Sequence, residues 1–296
     1  MQLENYRALI SAIDTGSISA AAETLSYTPS GVSRMIAALE RELGFALLRR
    51  GKSGVTPTGE CEELLPLLRK LCFTAESAEQ LAAKIRGLET GTVTIGTAYS
   101  AYYGALARIS SAFHALHPGI QVRLCGGYSS ELLDGLQKHQ ADLCLISRRE
   151  GEYRWMELCR DPLMAWVPEA HPLAALSAVP LESFETEACI ETFPMGFSDN
   201  DNTRVFERCG IKPNICFTTT DIHASYSMVE AGLGICMNNA LNGCSLSGRV
   251  RIMPLEPPQY VSIGIASLPE PSPAAKAFLE FISTRLELLR APGAEE

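Results

Sequence analysis

Ten cysteines and five histidines supply enough soft ligands and nucleophiles for metal binding, thiol redox chemistry or covalent catalysis. Their spacing supports none of these. The cysteines stand singly, without CxxC pairs or short ligand runs, and read as small apolar thiols of a reducing compartment. His114 and His117 lie three apart on an expected helix, but no thiolate or carboxylate at ligand spacing joins them. His171 alone would suit a catalyst; beside Pro172 it reads as a turn residue. No phosphate loop and no nucleophile-plus-base pattern emerges. Neither a metal nor a cofactor is therefore expected.

A different chemistry is offered by Ser30, Ser33 and Arg34, which share one side of an expected helix with Ala37. Small hydroxyl side chains let a helix approach a nucleic-acid groove closely. Its N-terminal amides attract phosphate, and an arginine can pair with both acceptors of a guanine. Residues 1–58 hold six basic groups against five acids, within a chain of net charge −9. The acidic remainder repels phosphate, so any DNA contact must come from the N-terminal part. Arg49-Arg50-Gly51-Lys52-Ser53-Gly54 adds a basic, glycine-bearing hairpin tip suited to phosphate or the minor groove.

The elements that position these residues follow from periodicity. Leu3, Tyr6, Leu9, Ile10 and Ile13 bury one face of a first helix, which Gly16 ends. Ser17 or Ser19 caps a second helix over about 20–25. Thr28-Pro29 reads as an N-cap followed by proline at the first helical position, starting a third helix to about Glu42. Val32, Met35, Ile36 and Leu39 face its core side. Thr56-Pro57 repeats the start signal for a long helix. In it Leu64, Leu68, Leu71, Ala75, Ala78, Ala82 and Ile85 alternate steps of four and three. That is a heptad seam for pairing with a second copy, with a bend expected at Pro66.

The run Ser17-x3-Ala21-Ala22-x2-Leu25, then Val32-Ser33-Arg34-x-Ile36-x2-Leu39-Glu40-x-Glu42-Leu43-Gly44-x2-Leu47-Leu48-x-Arg50, closely resembles the LysR-type transcriptional regulators. The likeness continues through Val55-Thr56-Pro57-Thr58-Gly59-Glu60. It implies an N-terminal winged helix-turn-helix (1–58), a linker and dimerisation helix (59–90) and a C-terminal effector domain (91–296). By that likeness Thr28, Pro29, Ser30, Ser33, Arg34, Arg50, Lys52 and Ser53 contact operator DNA. Where the family often has glutamine then proline at the start of the recognition helix, this chain has Pro29 then Ser30, so a glutamine base contact is missing.

From Thr92 onward strand-like and helix-like stretches alternate, which predicts an α/β fold with mostly parallel, buried strands. Strands are expected at 92–97, 120–124, 141–146, 189–191, 215–219, 233–237 and 261–266, with helices between them. Gly91-x-Val93-x-Ile95-Gly96, Ala141-Asp142-Leu143, His171-Pro172-Leu173-Ala174 and Val229-x-Ala231-Gly232-Leu233-Gly234-Ile235 resemble the family's effector domain. The resemblance implies two Rossmann-like lobes of the periplasmic-binding-protein type 2 kind, about 91–162 with 267–296 and about 163–266. Met237-Asn238-Asn239 departs from the family's apolar continuation there. Strand ends and helix starts line the crevice of such a lobe, placing Ser100, Ser129, Ser130 and, from the second lobe, Thr192 against a partly anionic small effector.

The expected activity is cytoplasmic, ligand-responsive regulation of a promoter by dimers or tetramers, with RNA polymerase as a further partner and no membrane contact. Two alternatives stay open: a thiol-based redox-sensing regulator using Cys209 and Cys216, and an α/β enzyme carrying a DNA-binding domain.

Overall fold

The computed structural model describes residues 2–51, 54–87, 89–192, 200–243 and 246–289. The chain divides into two compact units, Met1–Gly87 and Leu88–Glu296. In the first, helices α1 (Leu3–Thr15), α2 (Ile18–Thr24) and α3 (Pro29–Leu43) precede a hairpin, β1 (Leu48–Gly51) and β2 (Gly54–Pro57). A 27-residue helix, α4 (Gly59–Ile85), closes the unit. The sequence punctuation is local. Gly16 ends α1 in the left-handed region (φ 65), and Gly44 does the same for α3 (φ 84). Ser17 and Thr28 accept from the amides of Ala20 and Gly31, capping α2 and α3. The start of α4 lies later than Thr56-Pro57 suggests. Pro57 ends β2, and Thr58 is the cap, accepting from Cys61 N while donating to Ala46 O at 2.8 Å.

Hairpin and helices are pinned to each other by backbone. Val55 N donates to Gly16 O at 2.9 Å, and a Cβ on Gly54 (φ 119) would lie 2.2 Å from that oxygen. Only glycine allows this approach. The Glu40 carboxylate accepts from Leu47 N and Leu48 N, fixing the entry to β1. Tyr6, Leu9, Val32, Ile36, Leu39, Leu47 and Cys61 form the core. The helix α4 runs on through Pro66, and Arg69 ties it to the end of α1 through a two-pronged pair with Asp14.

The second unit continues the α/β alternation, with several borders moved. Its first lobe holds β3 (Gly91–Thr97), a single turn Ser100–Tyr102, α5 (Tyr103–Leu116), β4 (Ile120–Gly126), α6 (Ser129–Gln137) and β5 (Leu143–Ser147). A long strand, β6 (Arg154–Pro168), then crosses into the second lobe. There follow β7 (Val179–Pro180), α7 (Ser183–Thr186), β8 (Cys189–Thr192), α8 (Asp201–Cys209), β9 (Ile215–Thr219), α9 (Ile222–Glu230), β10 (Cys236–Asn239) and α10 (Ala240–Gly243). The 18-residue β11 (Val250–Ser267) returns to the first lobe, where α11 (Pro273–Ser283) and a turn Leu286–Leu289 pack on the sheet.

The main sheet runs β10-β6-β11-β5-β3-β4, with β7 paired to β11. It is mixed rather than mostly parallel. β3 pairs β4 and β5 in parallel, whereas β11 runs antiparallel to both β5 and β6. Neither β6 nor the first half of β11 is foreseen by periodicity. Pro162 and Pro168 interrupt one, and Pro254, Pro257 and Pro258 the other. The register of β11 on β6 jumps between Pro254 and Gln259, as prolines that cannot donate to a ladder require. Because Ile263–Ser267 pair with β5, the far end of β11 belongs to the first lobe's sheet, and the lobe border expected near 266 moves upstream. Each lobe buries apolar residues on both faces of its strands. Ile109, Phe113 and Phe278 lie on one side of the first lobe, and Leu133, Leu136 and Ile146 on the other.

Candidate functional site

The first candidate surface is on α3. Val32, Ile36 and Leu39 are buried, and this leaves Thr28, Pro29, Ser30 and Arg34 exposed. The hydroxyls of Thr28 and Ser30 lie 3.2 Å apart, and Arg34 Nε donates to Ser30 O, so the arginine lies along the first turn. Arg50 reaches back from β1 and donates to Ser33 Oγ at 3.0 Å. The hairpin and the helix therefore present one continuous polar face. Lys52 and Ser53 lie outside the described residues. Tyr27, just before the cap, is 47% exposed, and only its position beside the turn could have flagged it.

Two residues of the expected pairing seam of α4 are taken up by the unit's own core. Leu68 is buried and Leu64 is half-buried, both against the unit's own core, because α4 packs on α1 and β2. Ala75 is half-buried, while Leu71, Ala78, Ala82 and Ile85 are exposed. The apolar stripe facing solvent is instead Leu67, Leu71, Thr74, Ala78, Leu81 and Ile85, still in steps of four and three. Ile85 is 78% exposed and Leu67 66%. Sequence periodicity fits both stripes; only the packing of Leu64 and Leu68 separates them.

The second candidate site is a cavity of about 360 Å³ between the lobes of the second unit. Ser100, Ser129 and Thr192 line it, as the strand-end argument requires, but Ser130 does not. Ser130 Oγ accepts from Arg149 Nε instead. Ser129 is buried, and its Oγ is engaged by Ser147 N and Oγ. Ser100 is exposed at the start of its turn. Thr192 Oγ1 is buried with no partner among the described residues.

Most of the lining was not foreseen. Arg149 crosses the cleft to Asp201 at 2.7 Å, the pair being 5% and 14% exposed. Tyr128 Oη donates to Thr220 O across the same gap. Asn200, Asn202, Asn238, Asn239 and Asn242 crowd the second-lobe side. The departure at Met237-Asn238-Asn239 was the one signal for Asn238 and Asn239. Asn200 both caps α8, accepting from Thr203 N, and donates to Glu191 Oε1. Asn202 donates to Glu191 Oε1 and to Met237 O. Burial pushes the Glu191 carboxyl up to about 7 against these stabilising amide bonds. It pushes Asp161, which accepts from Leu241 N, up to about 6.

An anion gains little here. The start of α6 is already met by an acid, since Tyr128 N donates to Glu131 Oε2, and Asp221 caps α9. Arg149 is paired with Asp201. The lining is thus a wall of neutral amides and hydroxyls more than a cradle for a carboxylate.

The other chemistry-bearing residues take structural places. His171 Nδ1 accepts from Leu173 N, capping the turn Pro172–Ala175. Burial raises the thiols of Cys144, Cys189 and Cys236 to about 12 and that of Cys61 to about 11, the opposite of what a reactive thiolate needs. Cys209 and Cys216 are exposed, directed at the amide oxygens of Gln259 and Asn214. Among the described residues no group of three His, Cys, Asp or Glu could hold a metal ion, and no helix is long and apolar enough to cross a membrane.

Comparison with known proteins places both units of the chain in known families. Residues 3–62 match the bacterial regulatory helix-turn-helix protein, lysR family, and residues 86–287 match the LysR substrate binding domain. The chain is 29% identical over 288 residues to the uncharacterized HTH-type transcriptional regulator YvbU of Bacillus subtilis, covering 95% of this chain and 97% of that one. It is 30% identical over 221 residues to the HTH-type transcriptional regulator cbl of Escherichia coli, covering 72% and 69%. Among solved structures it shares its fold with full-length OxyR from Pseudomonas aeruginosa (TM-score 0.71, 20% identity, 100% of both chains). It also shares it with full-length CbnR complexed with its target DNA (TM-score 0.60, 19% identity, 96% and 99% covered). The chain belongs to the LysR family, as a DNA-binding transcriptional regulator with a C-terminal effector-binding domain.

Proposed function

We propose that the α3 face, led by Arg34 with Thr28, Pro29, Ser30 and Ser33, reads base edges in the operator major groove, while Arg50 and the hairpin tip hold phosphate. The observation that carries this reading is the Arg50–Ser33 bond, which sets a cation of the hairpin beside an exposed helix face of small polar groups. Two copies pair along Leu67, Leu71, Ala78, Leu81 and Ile85 of α4, since an exposed apolar stripe of this length calls for a partner. Pairing makes contact with the second half-site intramolecular and so raises affinity for a two-half-site operator far above that for one half. RNA polymerase is a further partner of the DNA-bound regulator, and the chain performs no catalysis of its own.

The effector occupies the interlobe cavity, contacting Ser100 and Thr192 and the amides of Asn202, Asn238 and Asn239. A small, uncharged or zwitterionic, hydrogen-bonding molecule suits this lining. Binding would compete for or complete two bridges across the cleft, Arg149–Asp201 and Tyr128–Thr220, and this gives the ligand a differential affinity for open and closed states. The test begins with duplexes selected from a random pool by the purified chain, then screens metabolites for those that alter the complex. With a responsive metabolite in hand, Ser100→Val should remove the response while leaving DNA affinity and melting temperature near wild type. An undiminished response in both Ser100→Val and Thr192→Val overturns the cleft assignment.

A further inference from the structure

Arg149 and Asp201 meet across the effector cleft as a buried ion pair, Nη1 to Oδ1 at 2.7 Å, and both line the cavity. Each is also held from its own side by bonds that do not involve the other. Arg149 Nε donates to Ser130 Oγ at 3.2 Å and Nη1 to Ser147 Oγ at 2.6 Å, while the hydroxyls of Ser147 and Ser129 lie 3.0 Å apart. Asp201 opens α8, and Asn200, the cap before it, accepts from Thr203 N and donates to Glu191 Oε1. Parting the two residues therefore leaves a guanidinium placed on one wall and a carboxylate placed on the other, with little ordering left to do.

What can enter between them is limited by charge. Opening the pair takes one ionic partner from each buried group, and a buried charge that loses its partner is costly. A carboxylate alone would replace Asp201 on the guanidinium and strand Asp201. A primary amine alone would do the reverse. A neutral polyol or amide offers a charge to neither, and the pair stays shut. Next to Asp201 lies Asp161, 4% exposed, whose carboxyl is raised by its burial and further by the Asp201 charge. A positive charge must therefore stay beside Asp201 whenever the pair opens. A molecule carrying both an ammonium and a carboxylate meets each demand, because each member of the pair keeps a partner of opposite sign. Since the two protein atoms start only 2.7 Å apart, the least opening admits a ligand whose two charged groups share one carbon.

We propose that the cleft recognises a free α-amino acid, its carboxylate on Arg149 and its ammonium on Asp201, with Tyr103, Tyr128, Thr220, Ile222, Asn238 and Asn242 left to surround its side chain. This rests on the interlobe cavity being the effector site and narrows that reading to one chemical class. The Arg149–Asp201 bridge closes the cleft on itself as an amino acid would close it on the ligand, at a different spacing of the walls. Occupancy is thereby coupled to the separation of the lobes.

Calorimetric titration of the full chain with each standard L-amino acid in turn tests it, and at least one should bind saturably. The N-acetyl derivative and the carboxamide of that amino acid should each bind more weakly by about tenfold or more, because either change leaves one member of the buried pair without its partner. Asp201→Asn should erase most of the penalty for N-acetylation and keep that for amidation, and Arg149→Gln should do the reverse. Should Arg149→Gln fail to fold, the two derivatives on the wild type and Asp201→Asn decide. Saturable binding to none of the amino acids overturns the proposal, as does equal affinity for the free amino acid and both derivatives. If only the chemical class is wrong, a metabolite lacking one of the two charges binds, and Ser100→Val removes its effect. If the cleft itself is not the site, amino-acid binding survives undiminished in Ser100→Val, Thr192→Val and Asp201→Asn alike.

Discussion

The two polar surfaces of this molecule are built in opposite ways. The face on α3 draws its residues from a stretch of 23 positions, Thr28 to Arg50, held by caps and a hairpin that are local in sequence. The interlobe cleft draws on Thr97 through Asn242, six loops brought together only by the sheet and by the two long strands β6 and β11. A local site tolerates changes elsewhere in the fold, whereas a distributed one moves with every element that carries it. The distinction is testable, because substitutions of similar chemistry should have different reach in the two units.

The largest contrast lies within α4. Leu68→Glu places a carboxylate in the core of the first unit and should destabilise it by about 4 kcal/mol or more, seen as loss of its thermal transition. Leu71→Glu with Ile85→Glu, on the exposed stripe, should leave that transition in place and shift sedimentation from dimer to monomer. An unchanged oligomer in the second variant would show that α4 pairs through another face.

Next in size is the buried acid behind the cleft. Glu191 is 3% exposed, with its carboxyl raised from 4.5 to about 7. Its folded pKa exceeds its unfolded one, so the folded state holds more protons and stability falls as pH rises from about 4.5 to 7. Above that window the cost is complete, at about 3 kcal/mol. Glu191→Gln keeps an acceptor for Asn200 and Asn202 without the charge. It should therefore raise stability at pH 8 and flatten the decline between pH 4.5 and 7. Parallel wild-type and variant curves in denaturant titrations across that range would remove this assignment.

A smaller effect separates wing from sheet. Gly54→Ala must move the hairpin off Gly16 O and adopt a φ of 119, which costs about 1–3 kcal/mol in the first unit. The transition of the second unit should not shift.

How much of this was readable in advance follows the same division. Thr28-Pro29, Gly44 and the Val32-Ser33-Arg34 run fix α3 and its exposed face because cap, turn and periodicity act over a few residues. On α4 the expected seam keeps Leu71, Ala78 and Ile85 at the surface but loses Leu64 and Leu68 to the unit's own core, since Leu64 and Leu68 repeat as regularly as Leu67 and Leu71 and only tertiary packing decides which is buried. In the cleft, Ser100, Ser129 and Thr192 were reachable from the rule that strand ends line a crevice. Arg149, Asn200 and Asn202 were not. Arg149 follows a strand in an ordinary-looking Arg148-Arg149-Glu150 run, and its partner Asp201 lies 52 positions away. The prolines that hid β11 also hid how the lobes are joined.

The central claim is that Arg34 reads bases and that the cleft does not. From a randomised duplex pool, the full-length wild type and Arg34→Ala should each be used to select bound sequences, and affinities measured at several salt concentrations. Arg34→Ala should lose preference at one position of each half-site and weaken specific binding by about 1–3 kcal/mol, with nonspecific affinity nearly unchanged. Selection of the same sequence with the same affinity by both proteins would contradict the assignment of α3 as the reading helix.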